Sequence, residues 1–487
     1  MTPAQQAERR KLFLLILLAA AQFVVVLDAS IVNVALPSIG GALEFSQANL
    51  AWVVNAYTLT FGGFLLLGGR LADLLGRRRI FMTGLVLFAL ASLVGGFANS
   101  EGMLIAARAV QGLGAAILSP AALSILTTTF SEGAERNRAL GVWGAVAGSG
   151  GAAGVLLGGM LTEWAGWEWV LWVNVPIGIA AAALAPGLIA ESRSGSATRH
   201  FDALGAVTVT AGLSVLVYAL VDANDAGWGS GQTLGLLAAS VALLAAFVAT
   251  ELRSEKPLVP FRIFSSRTLS GANVAGLLIG ASLFSMFFFI SLYMQQVLGF
   301  DALEAGLSYL PLAGTIIVSA GVASQLSTKL GFKPVLIAGM LLVAAGLVWF
   351  SQVTAGGSYA SDVLGPSILA GAGLGFAFVP VTIAAVAGVR GEDSGLASGL
   401  INTSQQIGGA LGLAILAAVA TGRTDEAMTA AQGDPSALPG ALTEGFSNAF
   451  LVGAGFALLG ALLAFLMIRT RDSRAHVGAD PASVPAA

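Results

Sequence analysis

Cysteine is absent from the 487 residues, which excludes disulfides and cysteine-ligated metals. Histidine is nearly absent. His200 and His476 lie far apart in sequence, so no histidine-built metal or catalytic site is expected. Charge is scarce as well. Only 10% of residues are charged and 56% are apolar, against about 25% charged in a soluble domain. Mean hydropathy is +0.85. A chain this poor in charge could not cover its surface in water, and a surface facing lipid explains the shortage. The few lysines are Lys11, Lys256, Lys329 and Lys333, and none sits in a Gly-x-x-x-x-Gly-Lys-Ser/Thr frame. Direct use of ATP is therefore not expected, and an ion gradient is the natural energy source.

The apolar runs are long. A membrane-crossing helix needs about 20 mostly apolar residues. Fourteen candidates read roughly as 12–37, 49–69, 80–98, 103–128, 139–161, 169–190, 203–221, 233–250, 271–294, 305–325, 334–352, 364–388, 396–419 and 446–468. The fold class expected is all-α and polytopic. The longest loop is expected at about 420–445, and the polar, Pro/Ala-rich tail after Arg469 is expected to be disordered. Arg9, Arg10 and Lys11 ahead of an apolar run imitate a signal peptide. The run continues to about Leu36, too long for a cleaved signal, so an uncleaved first span is expected.

Charge tests the count of spans. With the N-terminus inside and the loops alternating, inner segments hold 21 of the 23 basic residues. Outer loops hold Arg423 alone, and Arg108 lies within a span. Inner loops rich in Lys and Arg are the rule for membrane proteins. Losing or adding one span would flip every later loop and destroy the asymmetry. Fourteen spans with both ends cytoplasmic, in a plasma (inner) membrane, is the reading.

A weak internal repeat supports two halves. Gly69-Arg-Leu-Ala-Asp73-Leu-Leu-Gly76-Arg77 after span 2 parallels Ser324-Gln-Leu-Ser-Thr328-Lys-Leu-Gly331-Phe332 after span 10. Gly112-Leu-Gly114 with Pro120 in span 4 parallels Gly373-Leu-Gly375 with Pro380 in span 12. Both pairs align if two six-helix halves flank spans 7 and 8, and parallel six-helix repeats are the plan of major facilitator transporters. The divisions expected are a cytoplasmic N-terminus 1–11, a six-helix bundle 12–190, inserted helices 7 and 8 with linkers 191–270, a second bundle 271–468, and the tail 469–487.

Few residues could carry chemistry. Intramembrane charges are expensive and functional by default. Asp28 lies ~24 Å into span 1 from its inner edge, at 1.5 Å per residue. Arg108 lies ~8 Å from the outer edge of a ~30 Å core, close to the same depth, and Asn55 falls in that layer. Desolvation penalises the carboxylate and a nearby guanidinium favours it. These opposed pushes leave a carboxyl able to titrate when its surroundings change. Asp28 is thus a candidate proton-coupling site biased by Arg108, against the alternative of a static packing pair. In the 69–79 loop, Gly69 and Gly76 permit a tight turn. Asp73 can accept from a helix N-terminus or pair with an arginine. Arg77 and Arg78 satisfy the positive-inside rule in any case. Span 5 places Gly150, Gly154 and Gly158 on one face, a packing seam or a moving seam between halves, with Gly159 beside it. The aromatics of span 9, including Phe287 and Tyr293, could line a pocket for flat lipophilic molecules or simply face lipid.

These motifs together resemble the fourteen-helix drug:proton antiporters of the major facilitator superfamily. Leu27-Asp28-Ala-Ser30-Ile-Val-Asn33 with Pro37, Trp52-Val-Val-Asn55-Ala-Tyr57, Gly69 to Phe81, and Arg108-Ala-Val-Gln111-Gly112 are similar to that branch's motifs. So are Trp167-Glu-Trp169 through Asn174 to Gly178, Leu292-Tyr293-Met-Gln295, and Gly399-Leu-Ile-Asn402 through Gln406 to Gly408. The resemblance implies two six-helix bundles plus two inserted helices, and a secondary active transporter, not an enzyme. It implies proton-coupled efflux of a small lipophilic or cationic compound. Its partners would be that small molecule, protons and the lipid bilayer, with no cofactor, metal or nucleic acid, and with one chain sufficient. It implies gating by Gly69, Asp73, Gly76, Arg77 and Arg78, and an antiporter seam at Gly150, Gly154, Gly158 and Gly159. It implies substrate contacts among Asn33, Asn55, Tyr57, Gln111, Trp143, Phe287, Tyr293, Asn402 and Gln406. The sequence departs from the branch at Val155, where the fifth-helix motif has proline, and at Glu168, where arginine is usual. An importer or uniporter of a small metabolite is the alternative.

Overall fold

The computed structural model describes residues 2–45, 47–50, 52–192, 202–254, 257–390, 393–475 and 477. The expected disordered tail therefore lies mostly outside the described residues, as do His200 and His476, but its described start, Thr470–Ala475, is helical with Ser473 buried, contrary to the expectation. Among the described residues the chain is helical without strands. Hydrocarbon offers no partner to a backbone N–H or C=O, so each spanning segment closes its bonds within a helix.

Fourteen principal helices follow in order. The first half has α1 (Pro3–Ala42), α2 (Trp52–Leu75), α3 (Arg77–Gly96), α4 (Glu101–Thr129), α5 (Ala134–Trp164) and α6 (Asn174–Leu188). Then come α7 (Ala203–Ala226) and α8 (Gly231–Arg253). The second half has α9 (Arg267–Leu292), α10 (Leu310–Leu330), α11 (Phe332–Phe350), α12 (Leu364–Val386), α13 (Ser394–Ala430) and α14 (Leu438–Met467). Among the described residues, thirteen helical stretches are long and apolar enough to cross a membrane, and the apolar part of α7, Leu204–Leu220, is a shorter one.

Helix ends depart from hydropathy where polar residues continue the helix. α1 begins nine residues before the expected span, because Thr2 and Gln5 form a capping box on its first turn. It also runs through Pro37. α13 continues to Ala430 into the expected long loop, where Arg423 and Glu426 pair at 2.8 Å on consecutive turns.

The packing repeats at an offset of eight helices. In the first half α2 and α3 pack on α4, α1 on α5, and α1 and α3 on α6. In the second half α10 and α11 pack on α12, α9 on α13, and α9 and α11 on α14. The halves meet through α2 and α4 against α13, and reciprocally through α10 and α12 against α5. The inserted pair breaks this symmetry. α7 lies along α2 and also touches α13, whereas the equivalent seam between α10 and α5 carries no insert.

Glycine permits the closest helix approaches. A Cβ on Gly154 of α5 would stand 2.7 Å from the Ser30 side chain and 2.9 Å from the Leu27 carbonyl of α1. Gly455, on α14, has open space. Overpacking costs about 1–3 kcal/mol or more. Gly154→Leu should therefore lower the thermal midpoint of the purified protein in detergent, while Gly455→Ala leaves it unchanged. Equal midpoints would refute the close α1–α5 contact.

Candidate functional site

The two deep charges meet. Asp28 on α1 and Arg108 on α4 are 0% and 1% exposed, and Arg108 Nη1 donates to Asp28 Oδ2 at 2.5 Å. Their neighbours extend the pair into a network, in which Asn174 Oδ1 is left without a hydrogen-bond partner. Gln111 Nε2 donates to Asp28 Oδ1 at 2.6 Å and to Ser92 Oγ on α3 at 2.5 Å. Asn174 Nδ2, at the start of α6, donates to the same Oδ1 at 2.8 Å. The Arg108 guanidinium also donates from Nη1 to Gln111 Oε1 at 2.6 Å and from Nε to the Val53 carbonyl at 3.0 Å. Its carbon stands 4.4 Å over the Tyr57 ring, and the Tyr57 hydroxyl donates to the Val25 carbonyl. Five helices of one half thus converge on one carboxylate. A buried charge persists only when paired and hydrogen-bonded. Asn55 lies two residues past Val53 and is half-buried. At that depth α2 serves the pair through the Val53 carbonyl and the Tyr57 ring, not through Asn55.

A second node joins the halves at the basic end of the bundle. Gly76 has φ +110°, the left-handed turn that lets α3 restart at Arg77. Asp73, 0% exposed, accepts from the N–H groups of Gly395 and Leu396 at 3.0 Å each. These are the free donors of the first turn of α13, where negative charge is favoured. Arg77 holds the carboxylate at 2.8 Å and also reaches Ser124 on α4 at 2.7 Å and Ser394 at 3.0 Å. Gly69 abuts the backbone of Gly395 and Gly399. Arg78 is anchored at Glu191 and the Ile189 carbonyl. The repeat-related loop makes a neutral counterpart. Thr328 accepts from Asn137 at 2.9 Å, Ser324 donates to the Asn137 carbonyl, and Gly331 has φ +86°.

The glycines of α5 divide between two faces. Gly150, Gly154 and Gly158 face Val26, Ser30 and Ile31 of α1, within one half, and Gly159 is buried. The face opposed to the second half carries Gly141, Gly144 and Gly148, set against Ser324, Val379 and Ile316. α5 is therefore a shared wall between α1 and the other half.

The remaining expected residues scatter. Trp143 is buried in the core. Phe287 stacks on Tyr309 at 5.4 Å, and its ring faces Gly151 across the halves. Tyr293 is tied to Asp362 and Thr354 at the acidic end. Asn33 is exposed and bonds back to the Ala29 carbonyl. Asn402 and Gln406 are half-buried on α13, one and two turns beyond Gly399. Buried Asn402 Nδ2 and Thr403 Oγ1 have no hydrogen-bond partner. Sequence reasoning missed Ser92, Ser124, Ser394 and Thr403, and did not assign Asn174 to the site. Polar residues sharing a depth with Asp28 were the available signal for Ser92 and Asn174.

Residues 18–413 match the Major Facilitator Superfamily. The chain is 43% identical over 452 residues to the cephamycin export protein CmcT of Amycolatopsis lactamdurans, covering 92% of this chain and 91% of that protein. It is 38% identical over 485 residues to the puromycin resistance protein pur8 of Streptomyces alboniger, covering 99% and 96%. In fold it is similar to the human organic anion transporter MFSD10, with a TM-score of 0.66 at 16% identity, covering 95% and 100%. The chain is a multi-pass membrane protein.

Removing one partner of a buried ion pair costs about 3–5 kcal/mol. Asp28→Ala should therefore lower the thermal midpoint in detergent well below that of Asp28→Asn, which keeps an oxygen for Arg108. Identical midpoints for the two variants would show that the guanidinium does not depend on this partner.

Proposed function

The chain belongs to the Major Facilitator Superfamily, and from that premise we propose that it exports a small lipophilic or cationic compound of antibiotic type in exchange for protons. The observation that carries this reading is the carboxylate of Asp28, deep in its span and held by three side-chain donors inside one half. Two relatives named for antibiotic export and resistance supply the direction of transport and the kind of cargo.

The chemistry follows from the network. A proton added to an Asp28 oxygen neutralises the carboxylate and turns one acceptor into a donor. Arg108 then loses its counter-charge while still bonded to Gln111 and the Val53 carbonyl. The ring of donors has to rearrange, because an uncompensated buried charge is costly. α1 carries Asp28 and lies on the glycine face of α5, and the other face of α5 lies on α10 and α12. Protonation is thereby coupled to the contact between halves. At the basic end, Asp73 and Arg77 latch onto the start of α13, and release of that latch opens the path to the other side. The unpaired donors at Asn402 and Thr403, with Gln406 and Phe287, are the substrate contacts this reading favours. A buried polar group without a partner costs about 1–3 kcal/mol, which a hydrogen-bonding cargo would offset.

The basic end faces the cytoplasm in this reading, by the positive-inside rule. Both termini then lie on the cytoplasmic side of the plasma membrane, and one chain forms the whole path.

Cells producing the protein should accumulate less of a fluorescent drug-like dye than cells lacking it, and a protonophore should erase the difference. Asp28→Asn, shown by immunoblot to reach the membrane, should cut proton-dependent export by about 100-fold, the lower end for a positioned proton-transfer group. Undiminished protonophore-sensitive export by Asp28→Asn would remove Asp28 from coupling. Accumulation that rises when the protein is made would point to import instead.

A further inference from the structure

The helices that break the internal symmetry cover one of the two seams along which the halves meet. α7 packs lengthwise on α2. Gly62 and Gly63 of α2 admit Val217 and Ser214 of α7 to close contact, and Trp52 stacks on Tyr218 at 5.7 Å. Towards the basic end, one apolar cluster unites Leu66 of α2, Val209 and Leu213 of α7, Leu258 and Val259 of the linker after α8, and Leu396 of α13. The linker is itself pinned. Glu251 at the end of α8 is buried and accepts from the N–H groups of Leu258 and Val259 at 3.2 and 3.0 Å.

Above that cluster lies a charged triad drawn from three parts of the chain. Asp393, immediately before α13, is 11% exposed. Arg70 of α2 approaches it at 3.9 Å, and Arg262 of the linker at 3.4 Å. Arg70 also makes a long 3.5 Å hydrogen bond to the linker carbonyl of Pro257. The first half, the linker of the inserted pair and the second half are thus joined next to the Asp73 latch. Among the described residues no ion pair joins the halves at the basic end of the opposite seam, where Asn137, Ser324 and Thr328 meet through neutral bonds.

We propose that Arg262 and Asp393 are positioning residues of the transport cycle: the inserted helices ride with the first half, and their linker holds the second half closed at the basic end through this pair. The inference rests on the reading of the chain as an alternating-access exporter. The side taken follows from the contacts. α7 is bound to α2 along its length, and its contact with α13 includes the basic-end cluster at Leu396. With the linker held on α8 by Glu251 and by Phe247 against Phe261, opening at the basic end parts Leu396 from the α7 cluster and Arg262 from Asp393. A partly buried ion pair next to an apolar patch adds to closure without immobilising it.

The absence of native cysteine permits paired spin labels at chosen sites. Thr129→Cys on α4 and Leu330→Cys on α10 are exposed and report the basic-end separation of the halves. Electron–electron distance measurements in nanodiscs should show a short population in the parent protein. Arg262→Gln should raise the ratio of long to short populations about fivefold, the scale of one partly buried ion pair. Arg262→Lys, which keeps the charge, should restore much of the short population. Arg262 is 54% exposed, so these changes leave the core intact. Asp73→Asn serves as the reference for an opened latch. In that variant a label at Val207→Cys on α7 should keep its distance to Thr129→Cys and lengthen its distance to Leu330→Cys. If Asp73→Asn shifts the populations and Arg262→Gln does not, the linker role is wrong while the exporter reading stands. The role is equally overturned if Arg262→Gln and Arg262→Lys shift them alike. If neither Asp73→Asn nor Arg262→Gln shifts them, the latch at the basic end falls with it.

Discussion

A carboxylate and a guanidinium sit where hydrocarbon surrounds the protein, and neither can be left alone there. That constraint organises the first half. Asp28 requires donors and Arg108 requires acceptors, and five helices supply them. Each helix is thereby set in rotation and depth. α1 must present Asp28 inward, which turns Val26, Ser30 and Ile31 towards the glycine face of α5. The glycines follow from this geometry, because a larger residue at Gly154 would meet the Leu27 carbonyl. A change of charge at one oxygen is therefore mechanically connected to a helix wall that the other half also uses.

The second constraint is the free end of a helix. α13 starts with backbone N–H groups that no preceding turn can satisfy. Asp73 satisfies two of them from across the interface and is itself held by Arg77. The repeat-related position in the other half has Thr328 in place of the aspartate. One seam is therefore latched by charge and the other by neutral hydrogen bonds. The inserted pair lies on the charged seam, where Arg262 and Asp393 add to it. The two seams are therefore unequal although the halves are built on one plan.

The sequence was a good guide to depth and a poor guide to direction. Asp28 and Arg108 could be placed at one level by counting residues, and they meet. Asn55 lies at that level too, yet the bond to Arg108 comes from the Val53 carbonyl. Tyr57, Gln111 and Tyr293 read as pocket residues from motif position. In the structure, Tyr57 and Gln111 belong to the Asp28 network, and Tyr293 closes a tie at the acidic end. Hydropathy could not separate these cases, because apolar residues surround all of them on every side of the helix. The helix ends at Pro3 and Ala430 were illegible for the converse reason: polar residues prolonged the helices beyond the apolar runs.

By itself the sequence determined the environment, the succession of helical spans and the shared level of the two deep charges. These depend on composition and on distance along a helix of known rise. The internal repeat was present as well, in the spacing of Gly76 and Gly331 and in the Asp73–Thr328 correspondence. Tertiary structure alone decided which face of α5 belongs to which partner, that α7 covers one seam and leaves the other bare, and that Arg70, Arg262 and Asp393 meet. Such pairings join residues far apart in the chain. Helix rotation decides them, and in a membrane helix apolar on all sides the sequence carries almost no signal for rotation.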